Sequence, residues 1–156
     1  MAGTIDKRLA DAGIELPQAA VPAANYVPTV RSGAMLYISG QVPMLNGELH
    51  HQGKLGAGTS VEEGQAAARL CALNAVAQAK AALGGDLDRV VRVVKLLGFV
   101  NGTPEFGDQP KVVNGASDLM VEVFGDKGMH ARSAVGVASL PFGVAVEVEA
   151  ILEVAD

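Results

Sequence analysis

The sequence contains little of what nucleic-acid binders and disulfide-bonded proteins rely on. Its 156 residues include one cysteine, no tryptophan, two tyrosines and four phenylalanines. A single cysteine, Cys71, cannot form an intramolecular disulfide, and the scarcity of aromatic rings disfavours the stacking platforms that bind single-stranded nucleic acid. The 17 acidic residues outnumber the 12 basic ones, giving a net charge of −5. This charge disfavours an electrostatic surface for nucleic acid or anionic lipid, so neither is an expected partner.

Long hydrophobic runs and cofactor motifs are also missing. No stretch approaches the roughly 18 apolar residues of a membrane-spanning helix. Charged residues are spread through residues 1–16, so neither a membrane anchor nor a signal peptide is expected. The glycines match no phosphate-binding loop and no dinucleotide-binding fingerprint, and His50 and His51 lack a third ligand at metal-binding spacing. We therefore expect a cytoplasmic protein without a metal or an organic cofactor.

Apolar residues, by contrast, are plentiful. They make up 49% of the chain, whereas charged residues make up 19%. The length suits one domain spanning residues 1–156, with residues 1–18 as an N-terminal helical extension. A lone domain of this size exposes a large surface to water. A chain with this much apolar material is therefore expected to cover part of that surface with another subunit.

Hydrophobic periodicity and turn residues predict one mixed sheet with two long crossover helices, an α+β or α/β sandwich. Thr4 is suited to cap a short first helix, and Ser60 with Glu63 forms a capping box for the first long helix. The last two strands are predicted to form a hairpin. The predicted strands and long helices are, in order, strands at 26–30 and 35–42, a helix at 60–83, a strand at 90–100, a helix at 110–125, and strands at 131–139 and 144–154.

Right-handed crossovers tend to place both helices on one face of the sheet, so the other face is expected to lack a cover within the chain. In the last strand, the alternation directs Glu147 and Glu149 to that uncovered face. The preceding strand is predicted to present a face of small residues around one charge to the same side. These residues are Arg132, Ala134, Gly136 and Ala138. We therefore expect homo-oligomerisation through this face with closed cyclic symmetry.

Arg132 and Glu147 are the residues best suited to chemistry. The planar guanidinium of Arg132 matches a carboxylate ligand, although the same residue type also serves in surface ion pairs. If another subunit covers this face, burying the Glu147 carboxylate costs free energy unless the group is used in chemistry or is paired, for example in an intersubunit salt bridge. The predicted hairpin would bring the two charges together, so that one grips a substrate and the other handles a proton or water. His130 either lines the same pocket or is a capping or solvated residue, and Cys71 is interpreted as a small core residue.

Two segments carry a resemblance to a known family. The stretch HARSAVGVASLPFGVAVEVEAI contains an ARS-x-V-x-V-x-x-LP element with a final V-E-V-E, running from Ala131 to Glu149, and PAANYVPTVRSGAMLYISGQVP contains P-A-x-x-Y followed by SGQ. The sequence thereby resembles the RidA/YjgF family over roughly residues 20–155, and within it a longer subgroup. Family members are often labelled endoribonuclease or translation inhibitor.

The resemblance implies a fold, an assembly and an activity. The fold is the α+β, chorismate-mutase-like one: a mixed six-stranded sheet, two long helices on one face and here a short N-terminal helix. Three subunits pack their sheets into a central barrel, with clefts between them. The activity is hydrolysis of reactive enamines and imines, such as 2-aminoacrylate, to 2-keto acids and ammonia, without a cofactor.

The resemblance also assigns residue roles. It implies that Arg132 holds the substrate carboxylate and that Glu147 positions or activates water. It places Tyr26, Ser39 and Gly40 in the same cleft, together with the backbone at Ala134. These assignments imply a small carboxylate-bearing imine, enamine or keto acid as the partner of the cleft.

Ala134 departs from the family pattern, since many deaminating members carry cysteine at this position. Because this position contributes backbone contacts, the change alters the volume of the pocket and need not abolish activity. Two alternatives to a deaminase stay open. The first is a non-catalytic trimer that binds a small carboxylate in the same cleft. The second is an endoribonuclease, which the acidic charge and the few aromatic residues disfavour.

Overall fold

The computed structural model describes residues 2–22 and 24–156 as three α-helices that pack against a mixed sheet. Three single-turn 3₁₀ segments connect larger elements, at Leu87–Arg89, Gly125–Gly128 and Pro141–Gly143. The helices and strands are, in order, α1 (Thr4–Asp11), β1 (Thr29–Ser32), β2 (Met35–Gln41), β3 (Met44–Leu45), β4 (Glu48–Leu49), β5 (Lys54–Leu55), β6 (Gly58–Thr59), α2 (Val61–Ala82), β7 (Val90–Asn101), α3 (Gln109–Phe124), β8 (Ala131–Val137) and β9 (Val146–Val154).

The main sheet has the strand order β1-β2-β9-β7-β8 within the described residues. It contains five strands, one fewer than predicted, because β3 with β4 and β5 with β6 form separate two-stranded pairs. All neighbours in the main sheet are antiparallel except β7 and β8, which are parallel. The first predicted strand is also displaced, so that Tyr26 precedes β1 rather than lying within it.

The predicted hairpin between the last two strands is wrong, because β7 lies between β8 and β9. The helix α3 carries the chain across the sheet and returns it as β8, parallel to β7, as expected for a strand, helix and strand unit. Residues 138–145 then cross the end of β7, where the backbone N–H of Asn101 donates to the carbonyl of Ala145 at 2.9 Å. Because β7 lies between them, β8 and β9 are two strand spacings apart, each of about 4.8 Å. Residues 138–145 are long enough to cover that distance, so the chain passes from β8 to β9 without forming a hairpin.

The two long helices pack side by side on one face of the sheet, as predicted. The capping box that begins α2 is present: the Glu63 backbone N–H donates to Ser60 Oγ at 3.1 Å, and the Ser60 N–H donates to Glu63 Oε2 at 2.8 Å. The helices approach closely at Gly115, where a Cβ atom would overlap the backbone of Gln65. Glycine in α3 is therefore required for this packing.

The first helix is capped differently from the prediction. Its N-cap residue is Gly3, and no side chain of the helix itself caps it. The carboxylate of Asp88 accepts from the backbone N–H groups of Thr4 and Ile5, each at 2.8 Å. These two hydrogen bonds lower the pKa of Asp88. A residue distant in the sequence thus supplies the cap.

The face of the sheet opposite the long helices exposes apolar side chains among charged ones, which include Lys95 and Glu149. Along β9, buried residues alternate with half-buried ones, and Glu147 and Glu149 belong to the half-buried set, as predicted. Residues paired across antiparallel strands share a face, so the register assigns several partly exposed apolar residues to the open face. They are Val30, Tyr37, Leu97, Phe99 and Ile151, and Val135 joins them through its parallel pairing with Phe99. The apolar surplus of the composition is therefore concentrated there.

The structure contradicts the predicted orientation of β8. Arg132 pairs with Leu96, which is fully buried, and Ala134 pairs with Gly98, which contacts Val113 of α3. Arg132, Ala134 and Gly136 therefore point toward the helix side of the sheet and not toward the open face. The error follows from the wrong hairpin, because the intervening β7 changes which residues of β8 and β9 share a face.

Candidate functional site

A cavity of about 260 Å³ lies beside the β2 end of the sheet. Four of the predicted site residues line it: Tyr26, Ser39, Gly40 and Glu147. Its other walls come from the segment before β1, from α2 and from the turn after Leu140. The structure thus brings together the catalytic acid and three of the substrate-binding residues that the resemblance implies.

Glu147 is the only ionisable group, apart from the phenol of Tyr26, among the described residues that line this cavity. Strand β9 directs its side chain to the open face, where it is half-buried. Burial raises the pKa of Glu147, and the nearby negative charge of Glu149 raises it further. A carboxyl group with a raised pKa exchanges protons more readily near neutral pH than an ordinary glutamate, which suits general acid–base chemistry.

A β-bulge in β2 creates the space for this carboxyl group. Ile38 pairs with Ala150 and Gln41 with Val148, so Ser39 and Gly40 together face one residue of β9. A Cβ atom at Gly40 would overlap the Glu147 carboxylate, so any larger residue would require the Glu147 side chain to move from this position. The bulge is stabilised locally, since the side chain of Gln41 donates to the carbonyl of Ser39 at 3.0 Å.

Two buried polar residues of α2 complete the cavity, and the sequence-based predictions missed both. Asn74 donates to the carbonyl of Met44 at 2.8 Å, and Gln78 donates to the carbonyl of Ala20 at 2.7 Å. Each side chain is at most 3% exposed. They hold the loops that form the cavity walls. The sequence contains a hint of this role, because two amides one helical turn apart interrupt the otherwise small and apolar segment 70–79 of the helix.

The remaining predicted residues, Arg132, Ala134 and His130, do not line this cavity. The guanidinium of Arg132 is braced against α3: Nη1 donates to Asn114 Oδ1 at 2.8 Å and to Ser117 Oγ at 3.2 Å, and Nη2 donates to the carbonyl of Pro110 at 3.3 Å. All three acceptors are neutral. Arg132 also takes part in none of the ion pairs found in residues 2–22 and 24–156. Its guanidinium is therefore held in place, and no carboxylate of the described residues forms an ion pair with it.

His130 supports this arginine through a shared hydroxyl group. Its Nδ1 lies 2.6 Å from the carbonyl of Gly128 and its Nε2 lies 2.8 Å from Ser117 Oγ. A carbonyl oxygen only accepts, so Nδ1 carries a proton, and in the neutral ring Nε2 accepts from the Ser117 hydroxyl. The oxygen of that hydroxyl in turn accepts from Arg132. His130 is thus placed as a support for Arg132 rather than in the cavity of Glu147.

We call the residues that line the cavity of Glu147 and the residues hydrogen-bonded around Arg132 the two clusters. Other sequence features take no part in either cluster. Cys71 is fully buried, as predicted, and its thiol donates a hydrogen bond to the carbonyl of Val146 at 3.4 Å. Burial raises the pKa of this thiol well above its ordinary range, which keeps it neutral. In the described part of the chain, no three metal-binding side chains cluster together, and no helix has the length and apolar character to span a membrane.

The two clusters are separated by the sheet itself. Arg132 lies on the edge strand β8 and faces the helices, whereas Glu147 lies on β9 and faces the open side. Within one chain they do not converge on a common ligand. The prediction that they meet across a hairpin is therefore wrong.

Comparisons with known proteins place the chain in a family. The sequence model of the family described as "YjgF/chorismate_mutase-like, putative endoribonuclease" matches residues 6–152. The chain is 57% identical over 152 residues to "Protein TCP17" of Trypanosoma cruzi, covering 97% of this chain and 94% of that protein.

Solved structures give the same result. The protein Atu1372 of unknown function from Agrobacterium tumefaciens is 51% identical, with a TM-score of 0.91 and coverage of 97% and 92% of the two chains. E. coli TdcF with bound serine is 27% identical, with a TM-score of 0.60 and coverage of 90% and 94%. The motifs, the fold and the match over nearly the whole chain agree, and the protein belongs to the RidA/YjgF family.

Proposed function

We propose that the protein hydrolyses 2-imino acids and their enamine tautomers to 2-keto acids and ammonia, in clefts between the subunits of a homotrimer. The observation that carries the proposal is that one chain holds two separate groups, Glu147 and Arg132, each suited to a different part of the same small substrate. The first is a carboxyl group with a raised pKa in a cavity, and the second is a guanidinium that forms no ion pair among the described residues. A 2-imino acid needs both, since it has an anionic carboxylate next to an electrophilic C=N carbon.

The arrangement of the strands supports completion of the site by a second copy. Strand β8, with Arg132, forms one edge of the main sheet, and the cavity of Glu147 lies toward the opposite edge, beside β2. A cyclic assembly joins two different surfaces of neighbouring copies. Such an assembly would bring Arg132 of one copy to Glu147 of the next and would bury the apolar open face.

The chemistry requires no covalent intermediate with the protein. Arg132 binds the substrate carboxylate through two parallel hydrogen bonds, which orients C2 toward Glu147. Glu147 accepts a proton from water as the water oxygen bonds to C2 and the C=N π bond opens. The same proton passes to the nitrogen of the resulting carbinolamine. Glu147 then takes the proton of the hydroxyl group and passes it to the nitrogen as the C–N bond breaks, so the keto group forms, ammonia leaves and Glu147 is ionised again.

The serine bound in the structure of the E. coli relative TdcF supports a small amino-acid-like ligand for this cleft. Serine carries the same carboxylate and a C2 nitrogen as the proposed substrate. Ala134, which stands where many deaminating members have cysteine, favours a second candidate: a trimer that binds such carboxylates without turning them over. Tight binding of pyruvate with no acceleration of imine decay would favour that candidate.

The test compares the protein with Arg132→Ala while light scattering monitors the oligomeric state. 2-Iminopropanoate is generated from D-alanine by a D-amino acid oxidase, and ammonia release is followed with semicarbazide as the competing trap. We expect acceleration by the protein and its loss in the variant with the trimer intact. Equal rates for both proteins would contradict the proposal, and RNA cleavage that disappears in Arg132→Ala would point to the endoribonuclease instead.

A further inference from the structure

An exposed aromatic side chain stands at the cavity of Glu147. Phe142 is 70% exposed and lines the same cavity as Tyr26 and Glu147. It lies in the turn that precedes β9, between Pro141 and Val144. Neither the composition nor the family motif gives a reason for a large apolar residue at so exposed a position.

The backbone at Phe142 is in a conformation that phenylalanine disfavours. Its φ is 59° and its ψ is 13°, and Gly143 follows with a φ of 69°. The Val144 N–H donates to the carbonyl of Pro141 at 3.3 Å and closes the turn. Positive φ at both central residues is the type I′ pattern, in which asparagine, aspartate or glycine is preferred at the first position. Phenylalanine there stores backbone strain.

The segment before β5 holds the strained turn in place. The side chain of Gln52 donates to the carbonyl of Phe142 at 2.8 Å, and the Gly53 N–H donates to the carbonyl of Gly143 at 2.8 Å. The Ala145 N–H donates to the carbonyl of His51 at 2.9 Å. Three hydrogen bonds with residues 51–53 therefore keep the turn in a conformation that Phe142 disfavours. Strain that neighbouring structure maintains in this way is characteristic of functional positions.

The rest of the cavity indicates which ligand group the ring would contact. Its lining includes Val42, Met44 and Pro141, and no lysine, arginine or histidine of the described residues lines it. The only carboxylate present is Glu147, which repels an anionic side chain. The cavity is also lined by the amides of Gln41, Asn74 and Gln78, which donate to backbone carbonyls. If Arg132 holds the carboxylate and Glu147 faces C2, the substrate side chain is left to contact the apolar groups beside Phe142.

We propose that Phe142 determines substrate specificity: it favours 2-imino acids and 2-keto acids with an apolar side chain larger than methyl. The assignment of imine hydrolysis rests on the proposed function, whereas the preference itself is a property of the cavity and extends to binding alone. The ring contacts the side chain of the ligand, so ligands as small as pyruvate gain nothing from it.

The decisive variant is Phe142→Asn. Asparagine suits the first position of a type I′ turn, so the variant is expected to melt at the same temperature as the parent or higher. The measured quantity is kcat/KM for the imine of D-leucine divided by that for the imine of D-alanine, both generated by a D-amino acid oxidase. We expect this ratio to fall about tenfold in Phe142→Asn, in line with the discrimination that apolar contacts provide.

Phe142→Leu is the matched control, since it keeps an apolar side chain on the same turn. In this control the ratio of the two kcat/KM values is expected to stay close to that of the parent protein. A ratio that stays within twofold of the parent value in Phe142→Asn, with the trimer intact, would overturn the proposal.

A binding measurement separates this proposal from the proposed function. Calorimetry gives the affinity for 4-methyl-2-oxopentanoate relative to pyruvate. If the parent protein accelerates neither imine, the proposed deamination fails, and a fall in the affinity ratio on Phe142→Asn still supports the role of Phe142. An unchanged affinity ratio, or no binding of either keto acid, would overturn that role.

Discussion

The cavity of Glu147 and the brace of Arg132 are built in opposite ways. The cavity depends on irregular backbone: a bulge at Ser39 and Gly40, a strained turn at Phe142, and loops held by amides of α2. The brace depends on regular elements, since β8 and α3 place three neutral acceptors around one guanidinium. The first region raises the pKa of a carboxyl group, and the second holds a guanidinium group in one direction.

Their separation has a physical consequence. An arginine beside Glu147 would lower the pKa of that carboxyl group, because an opposite charge favours the ionised form. Within one chain the fold keeps the two charges on opposite faces of the sheet, so Arg132 of the same chain does not lower the pKa of Glu147. A substrate that contacts both Arg132 and Glu147 would therefore have to bind between two copies of the chain.

The largest expected effect comes from Glu147→Gln. Glutamine keeps the shape of the side chain but cannot take or return a proton, so the rate of imine hydrolysis is expected to fall by a factor of about 10² or more. Thermal stability should be unchanged or higher, since the half-buried carboxyl group is desolvated at a cost. Ammonia release and thermal melting measure the two quantities. Full activity in the variant would remove Glu147 from the mechanism.

Ser117→Ala sharpens the other side of the comparison. It removes one acceptor of Arg132 and the hydroxyl that links it to His130. We expect KM for 2-iminopropanoate to rise about fivefold with kcat within twofold, because the brace orients the carboxylate ligand and not the proton transfer. Ser117→Thr keeps the hydroxyl group and should restore KM. A fall in kcat at constant KM would contradict a positioning role.

The smallest effects concern stability against pH, where Glu147 and Asp88 should differ in sign. The pKa of Glu147 is raised by folding, so its stabilising contribution is present at low pH and is lost as pH rises through the raised value. The pKa of Asp88 is lowered, so its contribution is present at higher pH and is lost as pH falls through the lowered value.

Two neutral variants test this difference. Melting temperatures of Glu147→Gln and Asp88→Asn are compared with the parent protein at pH values from 3 to 7. Relative to the parent, Glu147→Gln should gain stability as pH rises, whereas Asp88→Asn should lose stability as pH rises. Parallel curves for the two variants would show that the local environments do not set these pKa values.

Local patterns in the sequence correctly predicted local structure. The capping box at Ser60 forms because its two partners lie within one helical turn. The alternation along β9 places Glu147 on the open face because the strand has a period of two. The family motifs predicted Tyr26, Ser39, Gly40 and Glu147, and the structure brings these four residues to one cavity.

Long-range pairing was not predictable in the same way. Nothing near β8 or β9 shows that β7 separates them, and the orientation of Arg132 depends on that fact. The cap of α1 comes from Asp88, which lies 84 residues from Thr4. The amides of Asn74 and Gln78 acquire their role only when distant loops reach them.

The sequence by itself determined the two long helices, the long strands, the family and the apolar surplus, because these follow from periodicity, composition and motifs within short segments. Only the tertiary structure decided that the surplus lies on one open face and that Arg132 and Glu147 lie on opposite sides of the sheet. The physical reason is that strand order and register are properties of pairings between distant segments, and each pairing determines which face every side chain of a strand occupies.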